Sequence, residues 1–225
     1  MESFSSLTKA ILWDFDGTIA DTFPLVFFSL RQSFLYGDGR FLTDEDMANM
    51  FGPPEDEIIR RYFYNRDAVD WGIEFYHRLY GDYHEVFTVY HKRLHNLLEN
   101  LYEKGCVQGI VTGKGRRSLA LSLEHLGITG YFSTAVTGND ILLPKPHPES
   151  LLAALYKLGV SPEEAIMIGD SEADYLAAQA LGMRCIVVGW YRIPSFSGNY
   201  LAIQDVESLA NLFTHNYRFP PGLPH

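Results

Sequence analysis

The stretch ILWDFDGTIADT, residues 11–22, gives the first indication of the fold of this chain. Three bulky apolar residues run directly into Asp14 and Asp16, and a glycine and a threonine follow. A short continuous apolar run of this kind is typical of a strand that is buried on both faces. A buried strand that ends by delivering two carboxylates to nearly one point is unfavourable unless the carboxylates perform chemistry. The sequence therefore predicts a functional site directly after the first strand.

Later apolar runs have the same character, and segments with helical periodicity separate them. These runs are VQGIVT (107–112), STAVT (133–137), AIMIGD (165–170) and RCIVVG (184–189). Between them, Gly127 and Gly159 are suited to end helices, and SPEE (161–164) has the form of a capping box. Strands that alternate with helices predict an α/β fold with a doubly wound, Rossmann-like parallel sheet.

The pattern changes between residues 21 and 91, where no strand is indicated. This segment is rich in aromatic residues and has helical periodicity, as in PLVFFSLRQSFLYG (24–37). We therefore predict a helical cap domain at 21–91, inserted after the first strand. Residues 1–20 and 92–225 would together form the α/β core domain.

The composition limits the classes of partner. The chain has 225 residues and a net charge of −10, whereas proteins that bind nucleic acid usually carry a basic face. No apolar run approaches the ~20 residues that span a membrane, and the N-terminus lacks the pattern of a secretory signal. Cys106 and Cys185 are expected to be buried free thiols. We expect a soluble, cytoplasmic protein, and the sequence does not predict its oligomeric state.

Reactive side chains also follow the later strands. Thr112 ends the second strand, Lys145 follows the third, and Asp170 and Asp174 follow the fourth. In an open parallel sheet, ligands bind beyond the carboxyl ends of the strands. These side chains are therefore expected to gather with the first pair of carboxylates at one edge. Each alone has an ordinary structural explanation, such as a helix cap, but their joint occurrence in this order indicates one site.

Four motifs carry a resemblance to a known family: DFDGT (14–18), VTGK (111–114), KPHPE (145–149) and GDSEAD (169–174). They resemble the motifs of the haloacid dehalogenase-like superfamily, in the same order. The helical segment after the first motif resembles the cap of its phosphoglycolate-phosphatase-like branch. The resemblance implies a Mg²⁺-dependent phosphohydrolase that acts on a small phosphorylated metabolite through an aspartyl-phosphate intermediate.

The resemblance also implies a role for each motif residue. Asp14 would be the nucleophile. Asp16 would protonate the leaving oxygen and then deprotonate the hydrolytic water. Thr112, the backbone N–H of Gly113 and the Lys145 ammonium would bind the phosphoryl oxygens.

A metal site follows from the same comparison. A carboxylate and a phosphate repel each other, and Mg²⁺, which prefers hard oxygen ligands, would hold them together. The predicted metal site comprises Asp14, Asp16, Asp170 and Asp174, with Asp16 contributing its backbone carbonyl. Asp174 would orient metal-bound water or brace Lys145.

The sequence is compatible with several functions. Asp16 favours phosphate esters or anhydrides, because relatives that cleave carbon–halogen or carbon–phosphorus bonds lack this residue. A phosphonate hydrolase would also need a cap lysine, and residues 22–90 contain none. An inorganic pyrophosphatase and a phosphosugar mutase are alternatives, although the basic cap motif of the mutases is missing. A binding protein that had lost turnover would be expected to have lost a motif, and all four are intact.

The cap segment MFGPPEDEIIRR (50–61) bears on substrate choice. The resemblance implies that its glycine–proline turn faces the active site. Arg60 and Arg61 could bind a second anionic group of the substrate, but we favour the alternative that both face solvent on an amphipathic helix. Thr22 and Phe23, at the first hinge, are expected to touch substrate when the cap closes.

Overall fold

A parallel sheet forms the centre of the molecule, for which a computed structural model describes residues 8–216. The sheet has six strands in the order β3-β2-β1-β4-β5-β6. The strands are β1 Ala10–Trp13, β2 Val107–Val111, β3 Thr134–Val136, β4 Ala165–Gly169, β5 Arg184–Val188 and β6 Leu201–Ile203. Because the order reverses between β1 and β4, a ligand crevice is expected at the carboxyl ends of these two strands.

The α-helices of residues 8–216 fall into two groups, one inserted between β1 and β2 and one packed on the sheet. The inserted helices are α1 Phe23–Asp38, α2 Asp44–Met50, α3 Glu55–Tyr62, α4 Val69–Asp82 and α5 His84–Phe87. The others are α6 Lys92–Glu103, α7 Arg116–Leu126, α8 Glu149–Leu158, α9 Glu172–Gln179 and α10 Val206–Asn216. The predicted fold class, a doubly wound sheet with a helical insertion, is confirmed.

The sheet is covered on both faces, which explains its continuous apolar strands. Alternate side chains of β1 point to opposite faces. Ile11 and Trp13 join the cluster formed with α6, α7 and α10, whereas Ala10 and Leu12 join the cluster formed with α8 and α9. All four side chains are fully buried, so β1 is the central element of the core.

The signals for helix ends are also confirmed. Gly127 and Gly159 end α7 and α8 in the left-handed conformation, at φ 66° and φ 64°. Ser161 forms the expected capping box with Glu164, at the start of a 3₁₀ turn that leads into β4. The sequence did not predict β6, because this strand has three residues and its first two are exposed.

The inserted helices form a hydrophobic cluster of their own. Side chains from α1 and α4 fill its centre, among them Leu30, Phe34, Tyr76 and Tyr80. The two connections to the core meet, because the backbone N–H groups of Asp21 and Val89 each donate to the other residue's carbonyl at 3.0 Å. The domain boundaries at 21 and 91 remain a prediction, and residues 1–7 and 217–225 lie outside the described residues.

The insertion rests on α7 of the core. Tyr80 Oη and Ser122 Oγ share a hydrogen bond of 2.8 Å, and His84 Nε2 lies 3.0 Å from the same hydroxyl. Arg117 forms a bidentate ion pair with Glu74, and its Nη2 donates at 2.8 Å. These contacts hold the insertion over the edge of the sheet where β1 and β4 end.

The state of the two cysteines and the lack of a membrane-spanning segment were both predicted from the sequence. Cys106 and Cys185 are both free, as expected. Cys185 is only partly buried because it lies in the more exposed first half of β5. Within residues 8–216, no helix combines the length and the apolarity that crossing a membrane requires.

Candidate active site

Carboxylates from β1 and β4 meet at the reversal point of the sheet. Asp14 directly follows β1, and its backbone N–H donates to the Ile168 carbonyl of β4 at 2.8 Å. Asp170 follows β4, and Asp174 lies in the first turn of α9. Carboxylate oxygens of Asp14, Asp170 and Asp174 all lie within 4.8 Å of one another. The predicted acidic cluster therefore forms, apart from the carboxylate of Asp16.

The crowding of the acids raises the pKa values of Asp14 and Asp170. Burial, followed by the charge of Asp174, raises the pKa of Asp14 well above its ordinary value. Burial and Asp174 also raise the pKa of Asp170 to about 6. A cluster of hard carboxylate oxygens that are this close needs a compensating cation. The donor set fits Mg²⁺, with Asp14 and Asp170 as the side chains that would hold it.

Lys145 supplies part of this compensation. Its Nζ lies 3.0 Å from Asp14 Oδ1 and 2.5 Å from Asp174 Oδ1, and it donates to the Val111 carbonyl at 3.0 Å. Burial lowers the pKa of Lys145, but the charges of Asp14 and Asp174 outweigh burial and hold the pKa above its ordinary value. The ammonium therefore stays charged beside the Asp14 carboxylate.

Asp174 has both of its carboxylate oxygens occupied by protein groups. Its Oδ1 accepts from Lys145, and its Oδ2 accepts from the backbone N–H and the hydroxyl of Ser171, at 3.1 and 2.6 Å. The residue is fully buried. Asp174 thus contacts Lys145, as expected, and its role at the metal site remains a prediction.

The turn after β1 fits closely around Asp170. Thr18 donates its hydroxyl hydrogen to Asp170 Oδ1 at 3.2 Å. Gly17 has φ 84°, and a Cβ at this position would stand 2.3 Å from Asp170 Oδ2. Only glycine combines this backbone conformation with such a close approach, so the DFDGT motif shapes the carboxylate cluster as well as supplying an acid.

A cleft of about 290 Å³ lies above this cluster. The core contributes Asp14, Asp16, Thr112, Gly113 and Lys145 to its lining. The insertion contributes an apolar wall, by which we mean the side chains of Phe23, Val26, Phe51 and Ile58. The predicted phosphoryl-binding residues therefore share one cleft with Asp14 and Asp170, and the insertion forms the opposite wall of this cleft.

Comparisons with known proteins agree with this architecture. The family model described as "Haloacid dehalogenase-like hydrolase" matches residues 11–188. This chain belongs to the haloacid dehalogenase-like hydrolase family. The Pyrophosphatase PpaX of Bacillus velezensis is 35% identical over 182 residues, which are 80% of this chain and 83% of that protein.

Solved structures of this family share the fold. A protein named as a predicted phosphoglycolate phosphatase of Haemophilus somnus superposes with a TM-score of 0.75 at 19% identity, covering 92% of this chain and 98% of that one. CbbY of Rhodobacter sphaeroides, solved in complex with phosphate, superposes with a TM-score of 0.74 at 23% identity, covering 91% and 96%. These two likenesses show the shared fold, whereas the family model and the Bacillus velezensis relative show that the chain is a hydrolase of this family.

Lys114 is the residue of this hydrolase that sequence reasoning missed. Its Nζ lies 3.1 Å from Asp16 Oδ1, 3.3 Å from Glu55 Oε1 and 4.9 Å from the centre of the Tyr80 ring, and it donates to Thr22 Oγ1 at 3.2 Å. Its side chain is fully buried. The signal was a lysine two residues after Thr112, inside the VTGK motif, but its partners lie far from it in the sequence, up to 98 residues away, and could not be read from the motif.

Glu55, the first residue of α3, joins the insertion to the core. Besides Lys114, its carboxylate accepts from the backbone N–H of Gly115 at 2.8 Å. A Cβ on Gly115 would stand 2.6 Å from Glu55 Oε2, so glycine is needed for this approach. A buried acid of the insertion thus meets a buried lysine and a backbone donor of the core.

Asp16 differs from the other predicted site acids in the direction of its carboxylate. The carboxylate contacts Lys114 and accepts a short hydrogen bond from Thr22, so it faces the insertion. It does not join the group formed by Asp14, Asp170 and Asp174. A metal contact of Asp16 through its backbone carbonyl remains a prediction.

The cap residues proposed for substrate contact separate into two groups. Phe23 lines the cleft, whereas Thr22 is buried beside Asp16. Arg60 and Arg61 are exposed, and they pair with Asp70 and Glu57. The two arginines lie outside the cleft, which matches the interpretation that they face solvent.

Proposed function

We propose that this hydrolase is a Mg²⁺-dependent phosphatase that acts on a small phosphorylated metabolite through an aspartyl-phosphate on Asp14. The position of the Asp14 carboxylate is the main support for this function. It contacts Lys145, and it lies within 4.8 Å of an Asp170 carboxylate oxygen at the base of the cleft. Enzymatic phosphoryl transfer depends mainly on positioning and on neutralising charge at the phosphoryl oxygens.

In the first half of the reaction, an Asp14 carboxylate oxygen attacks phosphorus and the bond from phosphorus to the ester oxygen breaks. Lys145, the Thr112 hydroxyl and the Gly113 backbone N–H hold the phosphoryl oxygens. When bound to Asp14, Asp170 and the Asp16 carbonyl, Mg²⁺ would supply the positive charge that lets carboxylate and phosphate approach.

In the second half, water cleaves the aspartyl-phosphate. Asp16 donates a proton to the leaving oxygen in the first half and accepts one from this water in the second. Thr22 and Lys114 support the assignment, because both hold the Asp16 carboxylate on the cleft side that faces the insertion. The segment 21–91 would act as a lid that excludes water during the first half.

The similar proteins suggest two substrate hypotheses for this mechanism. A phosphoglycolate-phosphatase-like reaction is the first. An inorganic pyrophosphatase reaction is the second, and it is favoured by the name of the Bacillus velezensis relative. We also propose a cytoplasmic location, which the two free cysteines support.

The test is phosphate release from p-nitrophenyl phosphate with and without Mg²⁺. We expect Mg²⁺-dependent release by the wild type and a loss of at least about 10³-fold in kcat for Asp14→Asn. Asp82→Asn, an exposed position of the insertion, is the matched control and should leave the rate unchanged. Equal rates for wild type and Asp14→Asn would refute the assignment of the nucleophile.

A further inference from the structure

The two halves of the cleft differ in chemistry. The half that belongs to the core is charged, as described above. The half that belongs to the insertion is the apolar wall, in which Val26 and Ile58 are buried and Phe51 is 37% exposed. The ring of Phe51 lies 6.4 Å from that of Phe23 and 5.3 Å from that of Phe27, so the aromatic rings support one another.

The lysines that line the cleft are already paired with protein carboxylates. Lys145 lies between Asp14 and Asp174, and Lys114 lies between Asp16 and Glu55. Among the described residues that line the cleft, these two lysines are the cations. Neither is available for a second anionic group of a substrate without giving up a carboxylate partner.

The arginines in or near the insertion do not add a cation to the lining of the cleft. Arg60 and Arg61 pair with acids outside the cleft. Arg192 places its guanidinium 4.2 Å from the centre of the Phe23 ring and pairs with Asp21 at 3.5 Å, and it does not line the cleft. The ionisable side chain that the insertion contributes to the lining is an acid, Glu55.

From this lining we infer that the apolar wall receives the alcohol half of the substrate and selects phosphate monoesters whose leaving group is small, apolar and uncharged. The inference rests on the proposed phosphatase function and deepens it. A carboxylate or a second phosphate at this position would lose its hydration against an apolar wall and beside Glu55, without gaining a cation. The cleft volume of about 290 Å³ is just below the roughly 300–1,000 Å³ typical of small-molecule sites, which favours a short alkyl or a phenyl group.

The chemistry at the ester oxygen agrees with this choice. As the phosphoryl group moves from the ester oxygen to Asp14, the ester oxygen gains the electron pair of the broken bond and needs a proton. Asp16 can supply that proton in its protonated form, because it lines the cleft and its carboxyl group contacts Thr22 of the insertion. The product then leaves as a neutral alcohol, and hydrolysis of the aspartyl-phosphate returns the proton to Asp16.

This inference argues against phosphoglycolate and pyrophosphate as preferred substrates, although proteins that carry these names are similar to the chain. The two compounds keep negative charge on the leaving group. A decisive comparison uses matched esters: phosphoglycolate against isobutyl phosphate, and 4-carboxyphenyl phosphate against phenyl phosphate, each measured as kcat/KM with Mg²⁺. Pyrophosphate is measured beside them.

The uncharged member of each pair should have a kcat/KM at least about tenfold higher than that of the charged member. An equal or higher value for phosphoglycolate, or for pyrophosphate over every ester, would overturn the inference while leaving the phosphatase assignment intact. Failure to release phosphate from any of these compounds would overturn the phosphatase assignment, and the inference with it.

A variant at the rim of the wall provides the second test. Phe51→Arg places a cation in the apolar half and should reduce the preference for isobutyl phosphate over phosphoglycolate at least about tenfold. Phe41→Arg, at a phenylalanine of the insertion that is 72% exposed, is the matched control and should leave the preference unchanged. A folded Phe51→Arg enzyme with an unchanged preference would contradict the role of the wall.

Discussion

The two buried lysines of the cleft make an informative comparison. Lys145 is held entirely by the core, between Asp14 and Asp174. Lys114 is held by Asp16 of the core and by Glu55 of the insertion. The first lysine lies at the charged bottom of the cleft, where phosphorus would be attacked. The second lies at the seam, by which we mean the contact of Lys114 of the core with Glu55 of the insertion. We therefore expect Lys145 to act on the phosphoryl group, and Lys114 to hold both Asp16 and the insertion in position.

The largest difference between the two lysines is expected in turnover. Lys145→Met removes the ammonium beside Asp14, and we expect kcat to fall by about 10³-fold, the usual effect of losing a charge-stabilising group. Steady-state kinetics with p-nitrophenyl phosphate measure this effect. Lys157→Met, at an exposed position of α8, is the matched control. A loss below tenfold for Lys145→Met would remove Lys145 from the phosphoryl site.

The seam is tested by a double-mutant cycle between Lys114→Met and Glu55→Gln. Each single change leaves a buried charge with fewer partners, so each should lower the free energy of unfolding. Because the two side chains contact each other, the double variant should lose about 1–3 kcal/mol less than the sum of the single losses. Urea unfolding curves provide the four values. Strict additivity would show that the Lys114–Glu55 contact does not hold the lid.

Most of the site residues that the core contributes to the cleft could be predicted from the sequence, whereas the contacts at the seam could not. Asp14, Thr112, Lys145 and Asp170 each follow a strand, so the order of the strands was enough to bring them to one edge. Lys114 has a partner in the insertion, and that contact depends on how five helices are placed over the sheet.

The side chains of the apolar wall could not be predicted from the sequence either. Helical periodicity identifies the inserted segment as a set of amphipathic helices, but it cannot separate apolar side chains that fill the insertion from those that line the cleft. Val26 and Ile58 do both. The exposed positions of Arg60 and Arg61 could be anticipated, because the hydrophobic face of α3 is formed by Ile58 and Ile59.

A smaller effect is expected where the insertion meets α7, and it depends on pH. Burial, with the adjacent His125, lowers the pKa of His84 to about 4, below the ordinary value near 6.5. Between these pH values the unfolded state binds more protons. The free energy of unfolding therefore falls as the pH drops from about 6.5 to 4, by up to about 3 kcal/mol, and His84 has no such effect above about pH 7.

Urea unfolding of wild type and His84→Gln at pH 5 and pH 7.5 isolates this effect. The variant cannot titrate, so its stability relative to the wild type should be higher at pH 5 than at pH 7.5. His147→Gln, which changes an exposed histidine, should show no such dependence. A difference between wild type and His84→Gln that stays constant with pH would contradict the account of this contact.

Transfer of the phosphoryl group to Asp14 during turnover can be tested directly by acid quenching followed by peptide mass spectrometry. The enzyme is mixed with substrate and Mg²⁺, quenched within the first turnovers and digested with protease. We predict one added phosphoryl group on the peptide that contains Asp14, and no such group in Asp14→Asn. Phosphate release at the full rate without this modification, or a phosphoryl group on a different residue, would show that Asp14 is not the nucleophile.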